Sequence, residues 1–415
     1  MKIIMILTSR KIVAGGHDWS ILDKGGLLIE NGLIKVVGKS DEIKKLFPHH
    51  KVLELKNAVL IPGLVNVHTH LELPGLLDEI RAETFSGWIL NLIKAKKKMD
   101  KNDIHTIVKK NIATLIETGT TTVGEICTQG ISRDLLRKSG LRSVVFHEII
   151  AMDSTFPIQS CGSFVRHPAS LMGLGLSPHS PYTVSTTILK KINEMANQRR
   201  LRLCMHVAES KDELRLLHRK KSGLEKLYQF AHWDLSRVPE GTSSFEYLNR
   251  IGLLSPRLLA VHAVQVTDCD IQLIRNTKTS VAHCPRSNRE LGVGKMPLKR
   301  MLDAGISIGL GTDSLASSPS LNTWDEMRYA RQLHRRDGVT AQDIFRLATI
   351  GGAKALDLDK EIGTIEPGKK ADIIAVPLPS KNTGNLYSDL IEETQSCMVT
   401  MVRGKVLHRF LGEEK

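Results

Sequence analysis

Short apolar runs punctuate the middle of the chain near 59–67, 121–126, 143–150, 171–176, 201–207, 257–263, 279–283 and 306–310. Each is followed by a longer stretch whose apolar residues recur at helical spacing. Runs of this length that are apolar throughout suit strands buried on both faces, as a parallel sheet requires. Eight strand–helix units in about 290 residues predict a closed (β/α)8 TIM-type barrel, not an open sheet. The pattern changes at both ends. Residues 1–60 are β-rich, and GLLIENGLIKVVG at 26–38 reads as two strands around Glu30-Asn31-Gly32, a hairpin signal. The tail resumes this character in GTIEPGKKADIIAVPL at 363–378 and CMVTMVRGKVLHRF at 397–410. The expected organisation is a barrel over 61–359 and one small β domain made of 1–60 with 360–415.

Composition narrows the class. The 415 residues are 41% hydrophobic and 25% charged, ordinary for a soluble globular α/β chain. A net charge of +14 raises nucleic acid as a partner. The basic runs, however, are short and scattered, at 94–101, 218–221 and 331–336. They sit in helical stretches without interleaved aromatics, so they read as solvated helix faces and not as a stacking platform for single strands. The six cysteines form no CxxC pair and are irregularly spaced, which suits a reduced, cytoplasmic protein. The N-terminal apolar run is broken by Ser9-Arg10-Lys11 and reads as a first strand, not a signal peptide. No stretch reaches the roughly 18 apolar residues of a membrane span. The expected partner is a small molecule, with no nucleic acid and no membrane.

Barrel active sites lie at the C-terminal ends of the strands. The first run ends in His68-Thr69-His70, the fourth in Ser177-Pro178-His179 and the fifth in His206, followed by Glu209. The sixth ends in His262, the seventh in His283 and the eighth in Asp313. His68 and His70 are two apart, so on a strand they face the same side. A third histidine and a carboxylate from other strand ends complete a set of three imidazoles and one carboxylate. With a position left for water, such a set suits a hydrolytic metal site. Glu209 falls where a carboxyl can relay protons, and His262 where a second proton shuttle would stand. No lysine ends the fourth run to bridge two ions, so one divalent metal is expected, zinc or ferrous iron.

The segments PGLVNVHTHLE, SPHSPYTVS, HVAES, HAVQVT, AHCPRSNRELGVG and GTDSLASSPSLNTWDEMR together resemble the amidohydrolase superfamily. The resemblance is to the branch of cytosine, guanine and adenosine-derivative deaminases and chlorohydrolases, and it runs from about residue 1 to 410. GTIEPGKKADIIAV is similar to the family's C-terminal β-sandwich segment. The resemblance implies that His68, His70, His206 and Asp313 ligate the metal, and that Glu209, His262 and Asp313 carry the proton transfers. It implies that His179 touches the substrate, and that Glu72, Trp88, Arg286, Ser314 and Ser317 fall at substrate contacts. Barrels of this branch are often homodimers, although no residue pattern here marks an interface.

Two departures select within the branch. Deaminases of S-adenosylhomocysteine and methylthioadenosine usually follow their HxH with Met and an LLRG run, and their Asp motif with Gly and a later Asn pair. Here the segments read HTHLELPGLL, then Phe85-Ser86-Gly87-Trp88, and GTDSLASSPSL. Both are more similar to aminodeoxyfutalosine deaminases of the alternative menaquinone pathway. The implied reaction is hydrolytic deamination of a 6-aminopurine nucleoside derivative, with Arg286 as a partner for the benzoate of that substrate. The rival expectations are an S-adenosylhomocysteine or methylthioadenosine deaminase, a triazine-type chlorohydrolase, and a catalytically dead barrel serving as a scaffold.

Overall fold

A computed structural model describes residues 4–15, 19–153, 170–240 and 243–410. Eight strands pair in sequential order: Leu64–Thr69, Thr120–Cys127, Arg142–Ile149, Met172–Pro178, Arg202–Val207, Leu258–His262, Ser280–His283 and Ile308–Leu310. All seven pairings between them are parallel. The seam between the eighth and first strands closes through polar groups. Asn66 Nδ2 donates to Thr312 Oγ1 at 2.7 Å, Asp313 N to the His68 carbonyl at 3.1 Å, and Thr69 Oγ1 to the Asp313 carbonyl at 3.0 Å. Barrel closure is thereby tied to the backbone of the residues that carry the candidate chemistry.

The seven-stranded second sheet draws on both ends of the chain. Its order is Lys405–Arg409, Val399–Val402, Ile373–Pro377, Val52–Pro62, Ile4–Val13, Ile21–Glu30, Leu33–Lys39. The 30–32 signal is realised as a hairpin with Asn31 at φ 51° and Gly32 at φ 78°, the left-handed pair that a tight two-residue turn needs. The long apolar run near 59–67 serves two sheets. It ends one strand at Pro62 and starts another at Leu64, and a Cβ on the intervening Gly63 would lie 2.1 Å from Thr121 Oγ1. One uninterrupted apolar run satisfies both sheets because each buries it on both faces, so hydrophobicity alone carries no boundary there.

Five of the six cysteines are described and all five are free thiols; Cys161 lies outside the described residues. Among those residues no helix is long and apolar enough to cross a membrane.

Candidate active site

Three imidazoles meet at the C-terminal mouth of the barrel. One ring nitrogen from each of His68, His70 and His206 lies within 4.8 Å of the others. Asp313 Oδ1 approaches the same point, 3.7 Å from His68 Nε2 and 3.6 Å from His70 Nε2. The His206 ring is held so that a lone pair faces inward. His206 Nδ1 is 3.0 Å from the His179 carbonyl, which accepts its proton and leaves Nε2 bare. His68 Nε2 is buried and has no hydrogen-bond partner in the protein. Burial, with the charge of His68 beside it, pushes the His70 imidazole down to about 3. Burial also holds His206 well below its ordinary value. Burial alone would raise the Asp313 carboxyl, but the surrounding imidazoles hold it well below the usual carboxylate range. Three imidazoles and a carboxylate around one point are the donor set a divalent cation takes, so these four residues fit a metal ion.

Two further groups flank this point. His262 Nε2 lies 3.4 Å from Glu209 Oε1 and 4.0 Å from Asp313 Oδ2. Its Nδ1 is 2.8 Å from Asn288 Oδ1, which accepts the ring proton and fixes the tautomer. Burial pushes His262 down to about 4. Glu209 is driven the other way: burial raises it well above the carboxylate range, and the negative charges of Asp313 and Glu213 reinforce the shift. A carboxyl pushed up by burial beside an imidazole pushed down by burial has its acid and base roles separated by environment. The backbone here is strained, since Ala208 (φ 54°), His262 (φ 73°) and Asp313 (φ 56°) are all left-handed without being glycine.

Several supporting residues were not foreseen from the sequence. Buried Glu213 accepts from the backbone N–H groups of Ala208 (2.8 Å) and Glu209 (2.9 Å), and so clamps the strained turn that aims Glu209. The signal was present, because Ser210 caps the helix Lys211–Leu217 by accepting from Glu213 N, a serine–acid spacing typical of helix starts. Ser287 Oγ donates to Asp313 Oδ2 at 2.6 Å. Ser287 and Asn288 both lie in the AHCPRSN segment, but only the folded chain shows that one serves Asp313 and the other His262.

A cavity of about 340 Å³ opens beside the cluster. His70, His179, His206, Glu209, His262, Asp313 and Ser314 line its floor, and Trp88, Leu227, Phe230 and Trp233 are among the apolar residues of its walls. Of the expected substrate contacts, His179, Ser314 and Trp88 therefore face it. His179 Nδ1 is 2.9 Å from Thr183 Oγ1, and Trp88 Nε1 donates to the Ala316 carbonyl at 3.1 Å.

Three expected substrate contacts do not reach the cavity. Glu72 is buried with its carboxylate turned to the loop after the second strand, accepting from Thr128 N (3.0 Å), Gln129 N (2.7 Å), Ser132 N (3.0 Å) and Ser132 Oγ (3.1 Å). Those donors include the start of the helix Ile131–Ser139, where backbone N–H groups lack partners and a carboxylate is favoured. Arg286 donates to Ser320 Oγ at 2.8 Å and pairs with Asp325 (3.3 Å) and Glu326 (3.7 Å). Its guanidinium is already neutralised, so the expected pairing with a substrate benzoate is not made from this position. Ser317 is fully buried and donates to Asp313 Oδ2 at 2.9 Å, supporting that carboxylate and not lining the cavity.

A closed eight-stranded barrel with a histidine-rich cluster at the strand ends defines the class as a TIM-barrel hydrolase. The chain belongs to the amidohydrolase family, whose pattern matches residues 59–407. It is similar to a 5-methylthioadenosine/S-adenosylhomocysteine deaminase of Syntrophobacter fumaroxidans, 27% identical across 99% of this chain and 93% of the relative. A 5'-deoxyadenosine deaminase of Methanothermobacter thermautotrophicus is 29% identical across 85% of this chain and 82% of its own length. The fold matches an aminofutalosine deaminase of Helicobacter pylori, crystallised with methylthio-coformycin, with a TM-score of 0.86 at 23% identity, covering 97% of this chain and 99% of that one.

Proposed function

We propose that this protein is a metal-dependent hydrolytic deaminase of a 6-aminopurine nucleoside derivative, with 6-amino-6-deoxyfutalosine as its substrate. The observation that carries the reading is the placement of Glu209 3.4 Å from His262, across from the histidine cluster and Asp313. The names of the similar proteins support an adenosine-derivative deaminase. The segments after His70 and Asp313 favour the aminodeoxyfutalosine reading within that class. His68, His70, His206 and Asp313 would hold one zinc or ferrous ion, which when bound supplies a water acidified toward neutral pH.

The chain's own groups account for the proton movements. The purine ring enters the cavity edge-on, and Glu209 delivers its proton to a ring nitrogen beside the amino-bearing carbon. That carbon becomes electrophilic, and the oxygen of water adds to it. His262, held by Asn288 with Nε2 bare, accepts a proton from the attacking water. That proton passes from His262 to the amino group, the carbon–nitrogen bond breaks as the adduct's hydroxyl proton returns to Glu209, and ammonia leaves behind a 6-oxopurine. Trp88, Phe230 and Trp233 close the sides of the cavity, keeping bulk water from the adduct.

The test is a substrate panel with purified, metal-loaded protein, read by ammonia and chloride release. Ammonia should appear from 6-amino-6-deoxyfutalosine far faster than from adenosine, 5'-deoxyadenosine, methylthioadenosine or S-adenosylhomocysteine. A preference for methylthioadenosine or S-adenosylhomocysteine overturns the choice of substrate and leaves the deaminase reading standing. Chloride release from a chlorotriazine without deamination overturns both.

A further inference from the structure

The run KAKKKMDK at 94–101 reads in the sequence as a solvated face, and the structure separates one lysine from the others. The helix Phe85–Lys96 turns Phe85, Trp88, Ile89, Leu92 and Ile93 toward the cavity, the i, i+3, i+4, i+7, i+8 stripe of a single helical face. The next position on that stripe is Lys96, which also lines the cavity. Lys94, Lys97 and Lys98 are exposed, whereas Lys96 is half-buried. Among the described residues Lys96 forms no ion pair, and it is the one lysine or arginine lining the cavity. Of the carboxylates lining the cavity, Glu148 accepts from Thr128 Oγ1 at 2.9 Å and feels the charge of Lys96 without a contact ion pair. An ammonium drawn off the solvent face to the end of an apolar wall, held by no contact ion pair among the described residues, is placed to meet a charged group on a ligand.

From this geometry we infer that Lys96 is a specificity-determining residue that receives an oxyanion carried by the substrate on an apolar spacer. The inference rests on the deaminase reading above, and it gives the substrate's 5' substituent a chemical form: an apolar body packed along Trp88, Leu92 and Ile93, ending in a carboxylate or a phosphonate-like group. It also replaces Arg286, whose guanidinium is spent on Asp325 and Glu326. A flexible ammonium at the end of the wall recognises such a group as a point charge without fixing its rotation.

The experiment compares three 5'-deoxyadenosines of nearly equal shape, bearing phenylthio, carboxyphenylthio or phosphonophenylthio at the 5' position. They are assayed with the holoenzyme and with Lys96→Ala, Lys96→Glu and Lys96→Arg. The wild type should favour the anionic compounds in kcat/KM, chiefly through KM. The anionic-to-neutral ratio should fall by roughly 10- to 100-fold in Lys96→Ala, the range for a charge-assisted contact, further in Lys96→Glu, and little in Lys96→Arg. The carboxylate and phosphonate arms show which oxyanion is preferred. In parallel, calorimetry measures binding of the matching 6-oxopurine products, which requires no turnover. No deamination of any compound sinks the function proposed above, while product binding still judges Lys96. A ratio that is the same in wild type and Lys96→Ala, or products that bind without regard to charge or not at all, overturns the role of Lys96.

Discussion

Glu72 and Glu209 make an instructive pair. Glu72 follows His70 by two residues and Glu209 follows His206 by three, each in the loop after a barrel strand. They are equally buried, each 5% exposed. Four N–H and O–H groups donate to Glu72, and none of them faces the cavity. Glu209 lines the cavity, and its near neighbour in the cluster is His262 at 3.4 Å. One carboxylate is fully spent on holding its loop. The other is left without donors, and burial pushes its carboxyl well above the usual carboxylate range. Chemical readiness follows from partnering, not from residue type or depth, because a satisfied buried charge has no capacity left to give to a substrate. Among the cations, Arg286 is held in contact ion pairs with Asp325 and Glu326, whereas Lys96 lines the cavity with no contact ion pair among the described residues.

Substitutions can break this comparison or sharpen it. Removing the metal by chelation, or replacing Asp313 with alanine, should abolish activity. Elemental analysis should find no stoichiometric metal in the Asp313→Ala protein, and zinc or ferrous iron should restore the chelated wild type only. Glu209→Gln should keep the fold and the bound metal yet lower kcat by about 10²- to 10⁴-fold, the contribution of a general acid. Steady-state kinetics beside metal analysis checks this, and a variant with near-normal kcat would remove Glu209 from the chemistry. Asn288→Ala frees the His262 ring from the partner that orients it, so kcat should fall by about 10- to 100-fold with KM little changed. Glu72→Ala should show the opposite profile: about 2–4 kcal/mol of lost stability in denaturant unfolding, from stranded N–H groups, with kcat of the folded fraction within a few-fold of normal. The smallest effect on turnover is expected from Arg286→Ala, which should leave KM for an anionic substrate nearly unchanged. A large rise in KM would return the arginine to the substrate site.

Much of this was legible before folding. Eight apolar runs mark eight strands to within a few residues, because strands buried on both faces must be apolar throughout. His68, His70, His206, His262, Glu209 and Asp313 announced themselves by falling at the strand ends, and the structure brings them to one mouth. Less legible were Glu213, Ser287 and Asn288, ordinary polar residues whose importance comes from what they touch. The run at 59–67 concealed a switch between sheets, since the strands on either side of Gly63 have the same hydrophobic requirement.

Periodicity and residue type determined the barrel, the β-rich ends and the set of side chains able to bind a metal or move a proton. These properties are local and repeat along the chain. Which acid stays unpaired, which arginine is neutralised, which of several adjacent lysines turns inward and which rings share one point were decided only when distant segments packed together. Those outcomes depend on distances between groups far apart in sequence, such as His68 and Asp313, and no single stretch of chain contains them.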